Sequence, residues 1–105
     1  MRMNSPYEQL KSYIPIKQAL KIRPEGDMLI IANRNAEIYY LNGMAREIWG
    51  MLDGKISVEE LCAKILSEYD AKPGEVEADI VSFIRDMQWK RLMRLKEGEN
   101  RNEEV

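Results

Sequence analysis

Between about residues 19 and 41 the hydrophobic positions come in short runs of strand-like period, separated by turn-forming residues. Ala19-Leu20-Lys21-Ile22-Arg23, Met28-Leu29-Ile30-Ile31-Ala32 and Ala36 to Leu41 predict three strands, joined at Pro24-Glu25-Gly26-Asp27 and at Asn33-Arg34-Asn35. Gly26 and the Asn33/Asn35 pair are residue types that accept the positive φ of hairpin turns. The first strand sets Leu20 and Ile22 against Lys21 and Arg23, and the third sets Ile38 and Tyr40 against Glu37, Tyr39 and Leu41. The middle strand is apolar on both faces, as expected for the centre of a meander covered on both sides.

From residue 42 the period becomes helical. Ala45, Ile48, Trp49 and Leu52 fall at i, i+3, i+4 and i+7, and Asp53-Gly54 supplies the stop. Ser57-Val58-Glu59-Glu60 is a capping box that opens a second helix, with Val58, Leu61, Cys62, Ile65 and Tyr69 on one stripe. Asp70 to Gly74 interrupts the pattern, and Pro73 suits the first turn of a third helix running to about Lys90. Its core face is Val76, Ile80, Phe83, Ile84 and Met87. Trp49 reads as core and Trp89 as a partly exposed lid at the end of this helix. Leu92, Met93 and Leu95 close the ordered part.

The expected fold is therefore α+β and winged helix-turn-helix-like, a three-stranded antiparallel sheet followed by three helices, over residues 19–95. Residues 1–18 read as an N-terminal arm, in which Pro6 and Pro15 bracket either a docked helical turn or a loose segment. Residues 96–105 carry Lys96 and Arg101 against Glu97, Glu99, Glu103 and Glu104, with almost no apolar content, and read as a disordered charged tail.

Composition narrows the function. The 105 residues suit a single domain, and the absence of histidine removes the commonest general base and zinc ligand. A single cysteine, Cys62, rules out an internal disulfide or a cysteine-rich cluster, so no metal and no cofactor are expected and an enzyme is disfavoured. The longest apolar run, Met28 to Ala32, is far short of the roughly 20 residues of a membrane span, and the N-terminus lacks a signal-peptide pattern. A cytoplasmic location is expected. A helix-turn-helix next to a sheet suggests DNA, but the N-terminal end of the third helix sets only Lys72 against Glu75, Glu77 and Asp79. Those carboxylates would face phosphates, so nucleic acid is disfavoured. Acids early and bases late (Arg85, Lys90, Arg91, Arg94) also simply complement the helix dipole.

Several elements, in order, carry a resemblance: an apolar strand leading to Leu41-Asn42, IWGMLDG at 48–54, SVEELCAKILSEYD at 57–70 and VEADIVSFIRDM at 76–87. Together they resemble the PqqD-like family, the small peptide-binding domains also called RiPP recognition elements. The resemblance implies a winged helix-turn-helix whose third strand is an open edge. It also implies a partner, the leader of a ribosomally made precursor peptide, which adds there as a fourth strand and reaches into a groove beside the third helix. A non-catalytic peptide chaperone of this kind presents its cargo to a modifying enzyme, a radical-SAM protein or a lasso-type peptidase.

The residues can support that mode. Glu37, Ile38, Tyr39, Tyr40 and Leu41 form a β-branched and aromatic strand without proline, whose backbone row is available for strand addition. Val76, Ile80, Phe83 and Met87 are candidates for a hydrophobic groove floor, although helix residues at this spacing are also what a core requires. Asp79 lies off the core stripe, either as a contact for a basic leader residue or as a solvated charge. Two other readings stay open: a DNA-binding winged helix, and a homodimer formed by pairing two third strands.

Overall fold

The computed structural model of the chain describes residues 5–98. The chain opens with a helical turn, α1 (Pro6–Leu10), capped by Ser5, whose hydroxyl accepts from the Glu8 N–H at 3.1 Å. A strand, β1 (Ile14–Lys17), follows, and then an antiparallel meander of β2 (Lys21–Glu25), β3 (Met28–Ala32) and β4 (Ile38–Leu41) in the order β2-β3-β4. Three helices come next: α2 (Gly43–Met51), α3 (Val58–Glu68) and α4 (Pro73–Trp89). The last element is a short strand, β5 (Met93–Lys96).

The three-stranded sheet and three long helices are those the periodicity predicts, with one shift: the first strand of the meander runs from Lys21 to Glu25, so Pro24 and Glu25, expected in the turn, are strand residues and the chain reverses at Gly26-Asp27. The start of α3 is the capping box itself: Ser57 Oγ accepts from the Glu60 N–H at 3.1 Å and Glu60 Oε1 accepts from the Ser57 N–H at 2.9 Å. Before it, Asp53 Oδ1 accepts from the Lys55 and Ile56 N–H groups, each at 2.8 Å, and Gly54 takes φ +81° to make the turn.

A second sheet was not expected. β1 pairs antiparallel with β5, from Ile14 opposite Lys96 to Lys17 opposite Met93. The stretch before it is held as well: Tyr13 and Lys11 carbonyls accept from the Val58 and Glu59 N–H groups, two of the donors left unpaired at the start of α3. Residues 11–17 are therefore stitched to α3 and β5, and Lys96, placed in the tail by the sequence, is the last residue of β5. The rest of the expected tail disorder falls mainly on residues 99–105, outside the described residues.

One side of the meander meets the helices. Leu29 and Ile31 of β3 and Leu41 of β4 pack with Ile48 and Trp49 of α2, Val58, Leu61, Cys62 and Ile65 of α3, and Val76, Ile80, Ile84 and Met87 of α4. Burying one such side chain completely contributes about 1.5–3 kcal/mol relative to leaving it exposed, so this cluster is the main stabilising term. The sheet is covered on this side only, not on both as the apolar middle strand suggested. Ile30 and Ala32, on the opposite side of β3, are half-buried by their strand neighbours alone.

The positive φ at the β3–β4 turn falls on Ala36 (+64°), not on Asn33 or Asn35; Gly26 (+59°) serves the β2–β3 turn as expected. Asn33 has a different part, described next.

Candidate functional site

β4 is the last strand of its sheet, and the phase of its backbone follows from two bonds. Asn33 N–H donates to the Glu37 carbonyl at 3.0 Å, while the Ala32 carbonyl accepts from the Leu20 N–H at 2.7 Å on the β2 side. Antiparallel pairing alternates, so with Ile31 opposite Tyr39 and Leu29 opposite Leu41, Tyr39 and Leu41 bond to β3. The N–H and C=O groups of Ile38 and Tyr40 then point away from the sheet. Their side chains stand on the outer face, each 59% exposed, whereas Leu41 is buried and Tyr39 half-buried on the helix side.

The opposite edge of the sheet is different. Pro24 of β2 faces Leu29 at a position whose N–H, by the same alternation, would point outward, so that edge lacks a donor. The sheet thus has one blunted edge and one open edge.

Beside β4 lies the end of α4. Lys90 Nζ sits 5.3 Å above the centre of the Tyr39 ring and 2.9 Å from Asp86 Oδ2, and Arg91 Nη1 is 3.7 Å from Glu37 Oε1. Asn33, wholly buried, locks this arrangement: its side-chain nitrogen donates to Glu37 Oε1 at 2.7 Å and to the Lys90 carbonyl at 2.8 Å, and its oxygen accepts from the Asn35 and Glu37 N–H groups. α4 stops there in a Schellman turn, with Leu92 N–H to Met87 O and Arg91 N–H to Gln88 O, and Arg91 at φ +58°. Because Lys90 reaches Tyr39, the residues one, two and three turns back on the same helix side, Asp86, Phe83 and Asp79, continue along that wall.

The sequence-derived candidates separate into two groups. Glu37, Ile38, Tyr39 and Tyr40 are exposed or half-exposed along the open edge, and Asp79 is exposed on α4 with no hydrogen bond or ion pair among the described residues. Val76, Ile80 and Met87, with Leu41, are sealed in the core, and Phe83 shows only a small edge. They belong to the core cluster that packs α4 beneath the sheet. Asn33, Lys90 and Arg91 were not singled out as site residues; an asparagine in a turn gives no signal that its amide spans to a helix end far along the chain.

Burial pushes the Cys62 thiol up from its ordinary value, which disfavours the thiolate. Among the described residues no cluster of three or more carboxylate, cysteine or histidine side chains is placed to hold a metal ion, and no helix is long and apolar enough to cross a membrane. What the arrangement offers is an open strand edge beside a helix wall bearing Asp79, Phe83, Asp86 and Lys90.

A family model for coenzyme PQQ synthesis protein D (PqqD) matches residues 27–93, a span that includes the whole of β3, β4 and all three long helices. The chain belongs to the PqqD family. Its fold is also that of a solved structure described as TbiB1 in complex with the TbiA(beta) leader peptide, with a TM-score of 0.66 and 22% identity, covering 75% of this chain and 95% of that one. No curated protein sequence matches the chain. In this member of the PqqD family the match ends at Met93, so the β1–β5 ribbon lies almost wholly outside it.

Proposed function

We propose that this chain captures the leader of a ribosomally made precursor peptide by strand addition to β4 and presents the rest of the peptide to a modifying enzyme, without catalysing a reaction itself. The observation that carries this reading is the open edge, where Ile38 and Tyr40 turn their backbone groups outward next to the α4 wall. A PqqD-family fold and a structural relative solved with a leader peptide support it.

In this mode Glu37 to Leu41 supply the strand, and the exposed rims of Tyr39 and Phe83 meet inward-facing leader side chains. Val76, Ile80 and Met87 act from beneath, by holding α4 against the sheet. Among the described residues Asp79 has no ion pair and Asp86 has one oxygen on Lys90, so the wall favours a basic leader residue opposite Asp79. The enzyme is a radical-SAM protein or a peptidase; the domain's part is affinity, of about 1 μM or tighter for a short strand with two or three anchors.

The test is a titration of labelled protein with the N-terminal segments of short peptides encoded beside it. Binding should move the amide resonances of Ile38 and Tyr40 more than those of β2. Tyr40→Pro, which removes one outward donor and leaves the β3 ladder intact, should weaken binding about tenfold with the fold unchanged. Resonances of β4 that stay still would end the reading. Movement of the same resonances on simple concentration, with a doubled mass in light scattering, would point to self-pairing of β4 instead.

A further inference from the structure

The outer face of the β2-β3-β4 sheet is left bare by the helices. Register arranges it in rows: Lys21, Ala32 and Ile38 in one, Arg23, Ile30 and Tyr40 in the next. Aliphatic side chains occupy the middle, the well-exposed Ile38 and Tyr40 lie on the β4 side, and two cations rim the β2 side. Between β2 and Ile38 the surface dips into an open depression of about 390 Å³. Arg23 has an acidic neighbour, Glu25, at 3.6 Å, and Lys21 has no ion pair among the described residues.

Size decides what can sit there. Three strands about 4.8 Å apart and about five residues long give a footprint of roughly 250 Å². A stable interface needs about 800 Å² from each partner, so a second copy of this chain is not held by this face alone. A small patch suffices for a partner that is already tethered, because a linked second contact forms at an effective concentration in the millimolar range. The enzyme that acts on the peptide bound at β4 is tethered in this sense, through the peptide itself. Alternation in a strand added to β4 also puts every second leader side chain on this same outer face, beside Ile38 and Tyr40.

We propose that the outer sheet face is the docking surface for the modifying enzyme, which seats an apolar ridge over Ile30, Ile38 and Tyr40 and acidic residues against Lys21 and Arg23. The leader completes that surface, so the enzyme distinguishes the loaded domain from the empty one. This rests on the capture of a leader at β4, and the experiment separates the two.

The probes are the precursor and the modifying enzyme encoded beside this chain, with the double charge reversal K21E/R23E, two exposed residues on the strand farthest from the open edge. Leader affinity is read by anisotropy of a labelled leader and enzyme engagement by precursor turnover at limiting domain. The variant should keep leader affinity within about twofold and lose about tenfold in turnover, and the wild-type turnover should fall with added salt. Unchanged turnover at unchanged leader affinity overturns the docking surface and leaves peptide capture standing. Failure of the wild type to bind the leader overturns both. A wild-type dimer in light scattering that K21E/R23E makes monomeric assigns the face to self-association and also overturns the proposal.

Discussion

The side-chain amide of Asn33 donates to the main-chain carbonyl of Lys90 at 2.8 Å, across 57 residues of chain. Through this bond, and the three others that Asn33 makes around Glu37 and Asn35, the turn that starts β4 is fixed to the end of α4. The spacing between the open edge and its helix wall is thereby set by one buried residue.

Asn33→Ala leaves the Asn35 and Glu37 N–H groups, the Lys90 carbonyl and the Glu37 carboxylate without their Asn33 partner. The expected loss is about 2–3 kcal/mol, measured by urea unfolding. Leader affinity should fall too, because the two walls are no longer held in register; a loss below about 0.5 kcal/mol would show that water replaces the amide without cost.

Ala36 bears φ +64°, a backbone conformation that disfavours any side chain with a Cβ. Ala36→Gly relieves that strain and costs some chain entropy in the unfolded state, for a net gain of about 0.5–1 kcal/mol. A thermal midpoint raised by a few degrees with unchanged leader binding is the expected result.

Two neighbours on α4 should part company under mutation. Ile80 is wholly buried, and Ile80→Ala should cost about 2–5 kcal/mol by emptying core volume. Asp79 is exposed and has no ion pair among the described residues, and Asp79→Asn should leave stability where it was while weakening a leader with a basic residue by about two- to fivefold. Equal effects of the two on leader affinity, once corrected for unfolded protein, would refute the division between support and contact.

Burial, with Cys62 and nearby carboxylates adding to it, pushes the Tyr7 hydroxyl up from 10.0 to about 12. A folded-state value above the unfolded one means that the stabilisation is fully present below pH 10 and is lost as pH rises through about 12. Alkaline unfolding should therefore begin in that window, and Tyr7→Phe should flatten the stability profile there. Phenolate absorbance followed alongside circular dichroism makes the check.

The meander and the three long helices are legible in the chain because each is specified locally. Ile48 and Trp49 repeat at helical spacing, Ser57 and Glu60 close a reciprocal cap, and Gly26 sits where a tight turn needs it. β1 and β5 are not legible. Each is four residues long, one contains Pro15, and their pairing joins segments at opposite ends of the domain. The edge of β4 was visible as a proline-free strand, but not which of its residues face outward; that depends on the hydrogen-bond phase set at Asn33 and Glu37. Likewise Val76, Ile80, Phe83 and Met87 form an apolar stripe whether they line a groove or fill a core. Only the packing of β3 and β4 against them decides that they mostly fill it.

Pro24 has a consequence for stoichiometry. A sheet with two receptive edges could take a strand on each side, and neighbouring copies could then be chained through shared peptides into open-ended assemblies. With Pro24 removing one donor from the β2 edge, growth is expected to stop after a single addition at β4. Titrations should accordingly saturate at one peptide per domain, and an excess of cargo should leave the protein as discrete particles instead of seeding fibres.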